Sequence, residues 1–251
     1  MTDGEFRGKV ALVTGGTRGI GKAIAVRLAE SGADVFITFF RSRDTAQKTV
    51  KEIEDLGVRC IAVRSNMRDR TGIVRLFERV REQYGRLDIL VVNAAMAFFS
   101  NAMEFSESKW DVTIESNVSS YLAYARQAHG LMKSGGKIVA ITSYGSRRYI
   151  PGYIAMGASK AAIESMTRYL AVEFAGSNIN VNCVSGGPVE TDSLRLIPQY
   201  KKLIEESIAR TPLRRIGTPE DLAKVVAFLC SDDSEWVRGQ NIIADGGMSL
   251  L

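Results

Sequence analysis

The chain has 251 residues, 45% of them hydrophobic and 24% charged, with a formal net charge of +5, which suits one globular domain with an ample core. Its apolar runs, such as Ile89 to Val92 or Ile138 to Ile141, have strand length rather than the roughly 20 residues of a membrane span, so a soluble, cytoplasmic protein is expected. The single histidine, His129, argues against a His-rich metal site and against a Ser-His-Asp triad, so no metal is expected.

From the N-terminus, Met1 to Gly8 carries Asp3, Glu5 and Arg7 and no apolar core, and so does not read as a secretory signal. Strands are predicted at Val10 to Val13, Val35 to Phe39, Arg59 to Val63, Ile89 to Val92, Lys137 to Ile141, Asn180 to Val184 and Ile242 to Ala244. Helical stretches intervene, among them Lys22 to Ser31 and Tyr121 to Lys133, where His129 reads as structural. This βαβ rhythm, without linker or low-complexity stretch, predicts an α/β single-domain Rossmann fold: a doubly wound seven-stranded parallel sheet with helices on both faces. Cys60, Cys183 and Cys230 lack metal or redox spacing and read as buried reduced thiols. In such sheets ligands bind beyond the carboxyl ends of the strands, which makes the residues just after each strand the ones to read.

The first strand ends in Thr14-Gly15-Gly16-Thr17-Arg18-Gly19-Ile20-Gly21, followed by a helix. Glycines at 15, 19 and 21 permit a tight turn, close backbone approach to a pyrophosphate and close helix packing, with the helix N-terminus facing the anion. An NAD-preferring site places an acid after the second strand. Here Arg41, Ser42 and Arg43 follow Phe39-Phe40 instead, and Arg41, Ser42 and Arg18 together suit a 2'-phosphate, because guanidinium forks match phosphate oxygens. NADPH is the predicted cofactor.

These residues make the chain resemble the short-chain dehydrogenase/reductase family over nearly its whole length. Thr14 to Gly21 is similar to the family's Thr-Gly-x-x-x-Gly-x-Gly, implying cofactor contacts from Gly15, Thr17, Arg18, Gly19, Ile20 and Gly21. Asn66 and Met67 follow the third strand, where the family usually has an aspartate contacting adenine. Val92-Asn93-Ala94-Ala95 resembles Asn-Asn-Ala-Gly, with Asn93 carried over. Asn117 matches the helix asparagine that holds a structural water, and Ser143 the serine after the fifth strand. Gly186-Gly187-Pro188-Val189-Glu190-Thr191 resembles the loop over the nicotinamide, which implies that Gly187, Val189 and Thr191 bind the cofactor.

The active-site helix departs from the family's usual Tyr-x-x-x-Lys, because Met156 stands where the tyrosine is expected. Tyr153-x-x-Met156-Gly157-x-x-Lys160 instead resembles the Tyr-x6-Lys signature of enoyl-acyl-carrier-protein reductases. The glycine turn, Ser185-Gly186-Gly187, the run Thr167 to Glu173 and Arg238-Gly239-Gln240 resemble the NADPH-dependent type III. Seven residues advance a helix by about 700 degrees, so Tyr153 and Lys160 project within roughly 20 degrees of each other, with backbones about 10 Å apart if the helix is continuous. Pro151-Gly152 and Gly157 would loosen its first turn. Lys160 is expected to bind the nicotinamide ribose while its charge favours a tyrosinate or a strongly donating phenol. Tyr153, further out, suits conjugate reduction, where hydride reaches the β-carbon and charge develops on the thioester oxygen. Catalytic roles are therefore expected of Tyr153, Lys160, Ser143 and Asn117, and substrate contacts of Tyr144, Tyr153 and Met156.

Between residues 192 and 215, the apolar Leu194, Leu196, Ile197, Tyr200, Leu203 and Ile204 resemble the family's substrate lid, with Leu194 and Leu196 expected at the acyl chain. Arg147, Arg148, Arg195, Lys201, Lys202, Arg210, Arg214 and Arg215 form a basic rim that would steer an acidic acyl carrier protein, or an acyl-CoA thioester. Basic and acidic residues interleave, so no nucleic-acid partner is expected. The resemblance implies a homotetramer. Two alternatives stay open: a carbonyl reductase in which Tyr153 or Tyr149 replaces the missing tyrosine, and a catalytically silent nucleotide-binding protein.

Overall fold

Seven parallel strands pair into one sheet in the order β3-β2-β1-β4-β5-β6-β7 in the computed structural model, which describes residues 4–197 and 199–251. The strands are β1 (Val10–Val13), β2 (Asp34–Phe39), β3 (Cys60–Arg64), β4 (Ile89–Val92), β5 (Gly136–Ser143), β6 (Ile179–Gly186) and β7 (Asn241–Ala244). The long helices are α1 (Gly19–Glu30), α2 (Arg43–Glu54), α3 (Arg70–Tyr84), α4 (Glu107–Ile114), α5 (Ser120–Leu131), α6 (Ile154–Glu173), α7 (Tyr200–Arg210) and α8 (Pro219–Cys230). The expected Rossmann architecture is what forms. Met1 to Asp3 of the N-terminal reading, and Pro198 within the expected lid, lie outside the described residues.

Side chains alternate between the two faces of each strand, and here both faces are apolar. Ala11, Val13, Ile89 and Val91 join Ile24 and Leu28 of α1 and Leu222 and Val226 of α8 in one core layer. Val10, Leu12, Leu90 and Val92 join Ile73 and Phe77 of α3, Tyr121 and Tyr124 of α5, and Ile163 of α6 in the other. Each such fully buried aliphatic side chain stabilises the fold by roughly 1.5–3 kcal/mol. All three cysteines are free and buried, as expected. His129 bonds Ser177 Oγ through Nε2 at 3.0 Å and packs on Phe174, the structural place its sequence suggests. Among the described residues no helix is long and apolar enough to cross a membrane.

The strand order reverses between β1 and β4, so their outgoing chains diverge and leave a crevice at the carboxyl edge. β5 and β6 run past the predicted limits, at Ile141 and Val184, because Thr142 pairs with Ser185 and Ser143 with Gly186. Ladder pairing continues there through residues that no apolar pattern marks. α1 begins at Gly19, inside the glycine turn and three residues before the predicted start; glycine is a weak helix former, and packing overrides its propensity.

Candidate active site

The glycine turn is built by contact rather than by flexibility alone. A Cβ on Gly21 would collide with the Gly15 carbonyl oxygen and with Asn93 Nδ2, so only glycine lets α1 start this close to β1. Thr14 Oγ1 accepts from the Asn93 and Ala94 N–H groups, both at 3.0 Å, and Asn93 Nδ2 donates to the Thr14 carbonyl at 3.0 Å, which locks the ends of β1 and β4 together. Thr14 was not among the expected site residues; its chemistry appears only when the two strand ends are adjacent.

α1, like α5, α6 and α7, begins without a side-chain cap. Ser42, Asp69, Ser106 and Thr218 cap α2, α3, α4 and α8 with side-chain oxygens, each cap contributing about 1 kcal/mol. The cap residue of α1, Arg18, makes no such bond, and no acid stands in the first turn, so its N–H groups face an anion site unspent. Thr191 flanks the turn: a Cβ on Gly19 would sit 3.2 Å from Thr191 Cγ2. Arg18 Nη1 lies 3.6 Å from Asp192 Oδ2, an exposed pair across the mouth of the crevice. After β2, Arg41, Ser42 and Arg43 are exposed, and the Ser42 hydroxyl accepts from the Thr45 N–H as the cap of α2. No acid follows β2. These features fit a phosphorylated dinucleotide: a glycine cradle, an uncapped helix N-terminus and cations where a 2'-hydroxyl acceptor would otherwise stand. Asn66 and Met67 follow β3, with Asn66 exposed; Gly187, Val189 and Thr191 follow β6, where Val189 is held in a bridge with Gly217.

At the other end of the crevice, α6 starts at Ile154 and Tyr153 is its cap residue, with φ −98° and ψ 11°. Pro151-Gly152 thus places the tyrosine at the helix mouth, where Ser100 bridges to it. The Tyr153 hydroxyl donates to Ser143 Oγ at 3.2 Å, and its ring stacks on Phe99 at 5.9 Å. Burial raises the phenol above its ordinary value of 10, opposed by the Ser143 bond, so at neutral pH Tyr153 is a protonated donor and not a tyrosinate. Lys160 is buried, donates from Nζ to the Ile141 carbonyl at 2.7 Å, and is pulled down to about 8 by burial, which the nearby Cys183 opposes. Tyr153 precedes the helix that carries Lys160 rather than sharing it, and the two side chains reach different residues of β5.

Met156, at the usual tyrosine position, is 5% exposed and lies 3.5 Å from Asn117 Nδ2 through its sulfur. Asn117 sits in a π-helical turn, Glu115–Ser119, a device that recurs at functional sites. Its Oδ1 accepts from the Met96 N–H at 2.9 Å and its Nδ2 donates to Ser159 Oγ at 3.1 Å, so it ties the end of β4 to α6. Two glycines permit the closeness of this group. A Cβ on Gly157 would sit 2.7 Å from the Gly145 carbonyl oxygen, and one on Gly145 would sit 2.6 Å from the Tyr153 ring.

Of the remaining expected residues, Tyr144 is half-buried beside Ser143, and Leu194 is buried while Leu196 points to solvent from the turn Leu194–Leu196. Tyr149 is 85% exposed, so of the two tyrosines considered for carbonyl reduction only Tyr153 is packed into the site. The basic rim is partly neutralised: Arg147, Lys202 and Arg215 pair with Glu164, Glu206 and Asp221. Arg210 and Arg214 donate to backbone carbonyls. Arg148, Arg195 and Lys201 are exposed and have no ion pair among the described residues. Glu164, one helical turn beyond Lys160, is buried here and was not anticipated.

Comparison with known proteins bears on the family. A family model described as Enoyl-(Acyl carrier protein) reductase matches residues 15–249. A 1-cyclohexenylcarbonyl-CoA reductase of Streptomyces collinus is 40% identical over 247 residues, 98% of this chain and 88% of that protein. The versicolorin reductase stcU of Emericella nidulans is 35% identical over 251 residues, 96% of this chain and 95% of that protein. A short chain dehydrogenase from Burkholderia cenocepacia J2315, solved in complex with NADP, is 35% identical with a TM-score of 0.92, covering 98% of this chain and 99% of that one. With matches of this length and identity and a fold that superposes this well, the chain belongs to the short-chain dehydrogenase/reductase family, close to its enoyl-reductase-type members, and is an oxidoreductase.

Proposed function

We propose that the protein uses NADPH to reduce the carbon–carbon double bond of a 2-enoyl thioester carried on coenzyme A or on an acyl carrier protein. The observation that carries this reading is where the phenol stands: Tyr153 at the cap of α6 bonds Ser143, while Met156 fills the usual tyrosine position with a buried thioether. A donor set one turn further out suits an oxygen removed from the carbon that is reduced.

The glycine turn, Arg18, Arg41 and Ser42 would hold the pyrophosphate and 2'-phosphate of NADPH, and Asn66, Met67, Asn93, Gly187, Val189 and Thr191 its adenine, ribose and nicotinamide portions. When bound, NADPH supplies the hydride for the β-carbon. Tyr153 donates a hydrogen bond to the thioester oxygen and stabilises the enolate charge, a contribution of the oxyanion-hole kind, and a proton drawn from solvent then adds at the α-carbon to complete the reduction. Burial, which raises the phenol, favours this protonated donor form. Lys160 contributes a positive charge next to the cofactor ribose, and Asn117 keeps the end of β4 against α6. Tyr144, Met156 and Leu194 would border the acyl side, while Leu196, at solvent, would reach the chain only if the turn Leu194–Leu196 folds inward.

The Streptomyces collinus relative is named for a cyclohexenylcarbonyl thioester of coenzyme A, which supports both the conjugated double bond and the CoA carrier. The exposed Arg148, Arg195 and Lys201 suit the phosphates of CoA or an acidic carrier protein. A cytoplasmic homotetramer belongs to the same proposal; the exposed Tyr169 and Val172 on α6 supply apolar surface for it.

A second reading, carbonyl reduction, is favoured by the Tyr153–Ser143 hydrogen bond itself, since a serine and a tyrosine converging on one point suit a ketone oxygen. NADPH oxidation measured with crotonyl-CoA and with acetoacetyl-CoA separates the two. Consumption with the enoyl substrate supports the proposal, consumption with the β-keto substrate alone replaces it with the second reading, and NADPH binding without turnover of either leaves a nucleotide-binding protein.

A further inference from the structure

Three consecutive residues at the end of β5 are each held by a different residue of α6 or its cap. The Ile141 carbonyl accepts from Lys160 Nζ at 2.7 Å, Thr142 Oγ1 donates to Glu164 Oε1 at 2.8 Å, and Ser143 Oγ accepts from Tyr153 at 3.2 Å. Lys160 and Tyr153 have places in the proposed chemistry. Glu164 has none, although it is a carboxylate only 7% exposed.

A charge that far from water is tolerated when its oxygens are filled by donors. Among the described residues the donors to Glu164 come from one short segment: Thr142 and Ser146 through their hydroxyls to Oε1, and Arg147 through Nε to Oε2 at 3.2 Å. The bonds that satisfy the carboxylate therefore also fasten the turn between Ser143 and Arg147 onto α6. That turn contains the acceptor of the Tyr153 hydroxyl, and Gly145 within it donates its N–H to Ser143 Oγ at 3.2 Å and lies so near the Tyr153 ring that a Cβ there would stand 2.6 Å from it. A shift of the turn would move both the surface beneath the ring and the partner of the hydroxyl.

We propose that Glu164 is a positioning residue for reduction: by holding Thr142, Ser146 and Arg147 against α6 it fixes the Ser143–Gly145 turn and, through it, the direction of the Tyr153 hydroxyl. The assignment rests on the reading of Tyr153 as the donor to the substrate oxygen. Glu164 touches neither substrate nor cofactor in this role. Charge-assisted bonds from three donors make it a stiffer anchor than a neutral side chain in the same place.

The test is a double-substitution cycle on kcat, with whichever of crotonyl-CoA and acetoacetyl-CoA the unsubstituted protein reduces. Glu164→Gln keeps an oxygen for the two hydroxyls and loses the charge that holds Arg147; Glu164→Ala loses every bond. We expect kcat to fall roughly tenfold in the first and roughly 100-fold in the second, while the NADPH dissociation constant stays within about twofold. In a Tyr153→Phe background the same changes should cost less than about twofold, because no hydroxyl is left to aim. An equal fall in both backgrounds means a general structural role and overturns the proposal, as does an unchanged kcat with Tyr153 present. If Glu164→Ala does not fold, Glu164→Gln decides by the same criterion. Failure of the functional reading shows separately: the unsubstituted protein then reduces neither thioester, or Tyr153→Phe is as active as its parent, and the role of Glu164 falls with it.

Discussion

Tyr153 donates to Ser143 across 3.2 Å from the cap of α6, with its ring held between Phe99 and Gly145, so the phenol is aimed by the β5–α6 turn rather than by the helix that carries Lys160. Removing the hydroxyl alone should therefore leave the packing intact. Tyr153→Phe is expected to lower kcat by about 10²-fold or more, the usual cost of losing one oxyanion donor, with NADPH binding unchanged. Steady-state kinetics with crotonyl-CoA beside a fluorescence titration of NADPH checks it; unaltered turnover would remove Tyr153 from the mechanism.

Ser143 accepts from both the phenol and the Gly145 N–H, so its oxygen orients the donor and the turn together. Ser143→Ala should cost less than Tyr153→Phe, roughly tenfold in kcat, because the Tyr153 ring keeps its two packing faces. A loss larger than that of Tyr153→Phe would make Ser143 the group that meets the substrate oxygen and favour the carbonyl reading.

Burial pulls Lys160 from its ordinary 10.5 to about 8. A folded-state value below the unfolded one means that the folded protein binds fewer protons between about pH 8 and 10.5, so the cost of the buried charge, present in full below pH 8, is relieved as pH rises through that window. Activity should run the other way. Once Lys160 loses its proton its charge no longer supports the cofactor ribose, and kcat/KM should fall above about pH 8, well before Tyr153 titrates. A pH profile that stays level to about pH 10 would refute this.

Gly157→Ala sets helix propensity against packing. Alanine is favoured in a helix by about 1 kcal/mol, but its Cβ would stand 2.7 Å from the Gly145 carbonyl oxygen, a backbone atom that must shift. Overpacking of this kind costs about 1–3 kcal/mol, so a net loss of stability is expected, together with a fall in kcat as the turn beneath Tyr153 moves. Urea denaturation measures the first, and a stabilised variant would show that the turn yields freely.

Arg41→Ala removes an exposed guanidinium from the end of β2 that has no ion pair among the described residues. It should raise the KM for NADPH by roughly tenfold and leave that for NADH nearly unchanged, since only the 2'-phosphate distinguishes the two. Equal effects on both cofactors would place Arg41 outside the phosphate site.

The amino-acid sequence by itself determined the architecture. Two-sided apolar strands, the glycine turn and the cations after Phe39 depend on local spacing, and local spacing survives folding. The spacing of Tyr153 and Lys160 was legible for the same reason, although Tyr153 stands at the cap of α6 and not within the helix. What those side chains touch was not. That Thr14 joins β1 to β4 depends on those strands being neighbours, and that Lys160 turns to Ile141, that Tyr153 meets Ser143 and that Glu164 buries its carboxylate against the turn depend on β5 lying against α6. Hydrogen bonds are short-ranged and directional, and no periodicity encodes contacts between elements that meet only once the sheet has closed. The displaced tyrosine was written in the sequence; its direction was decided by the tertiary structure.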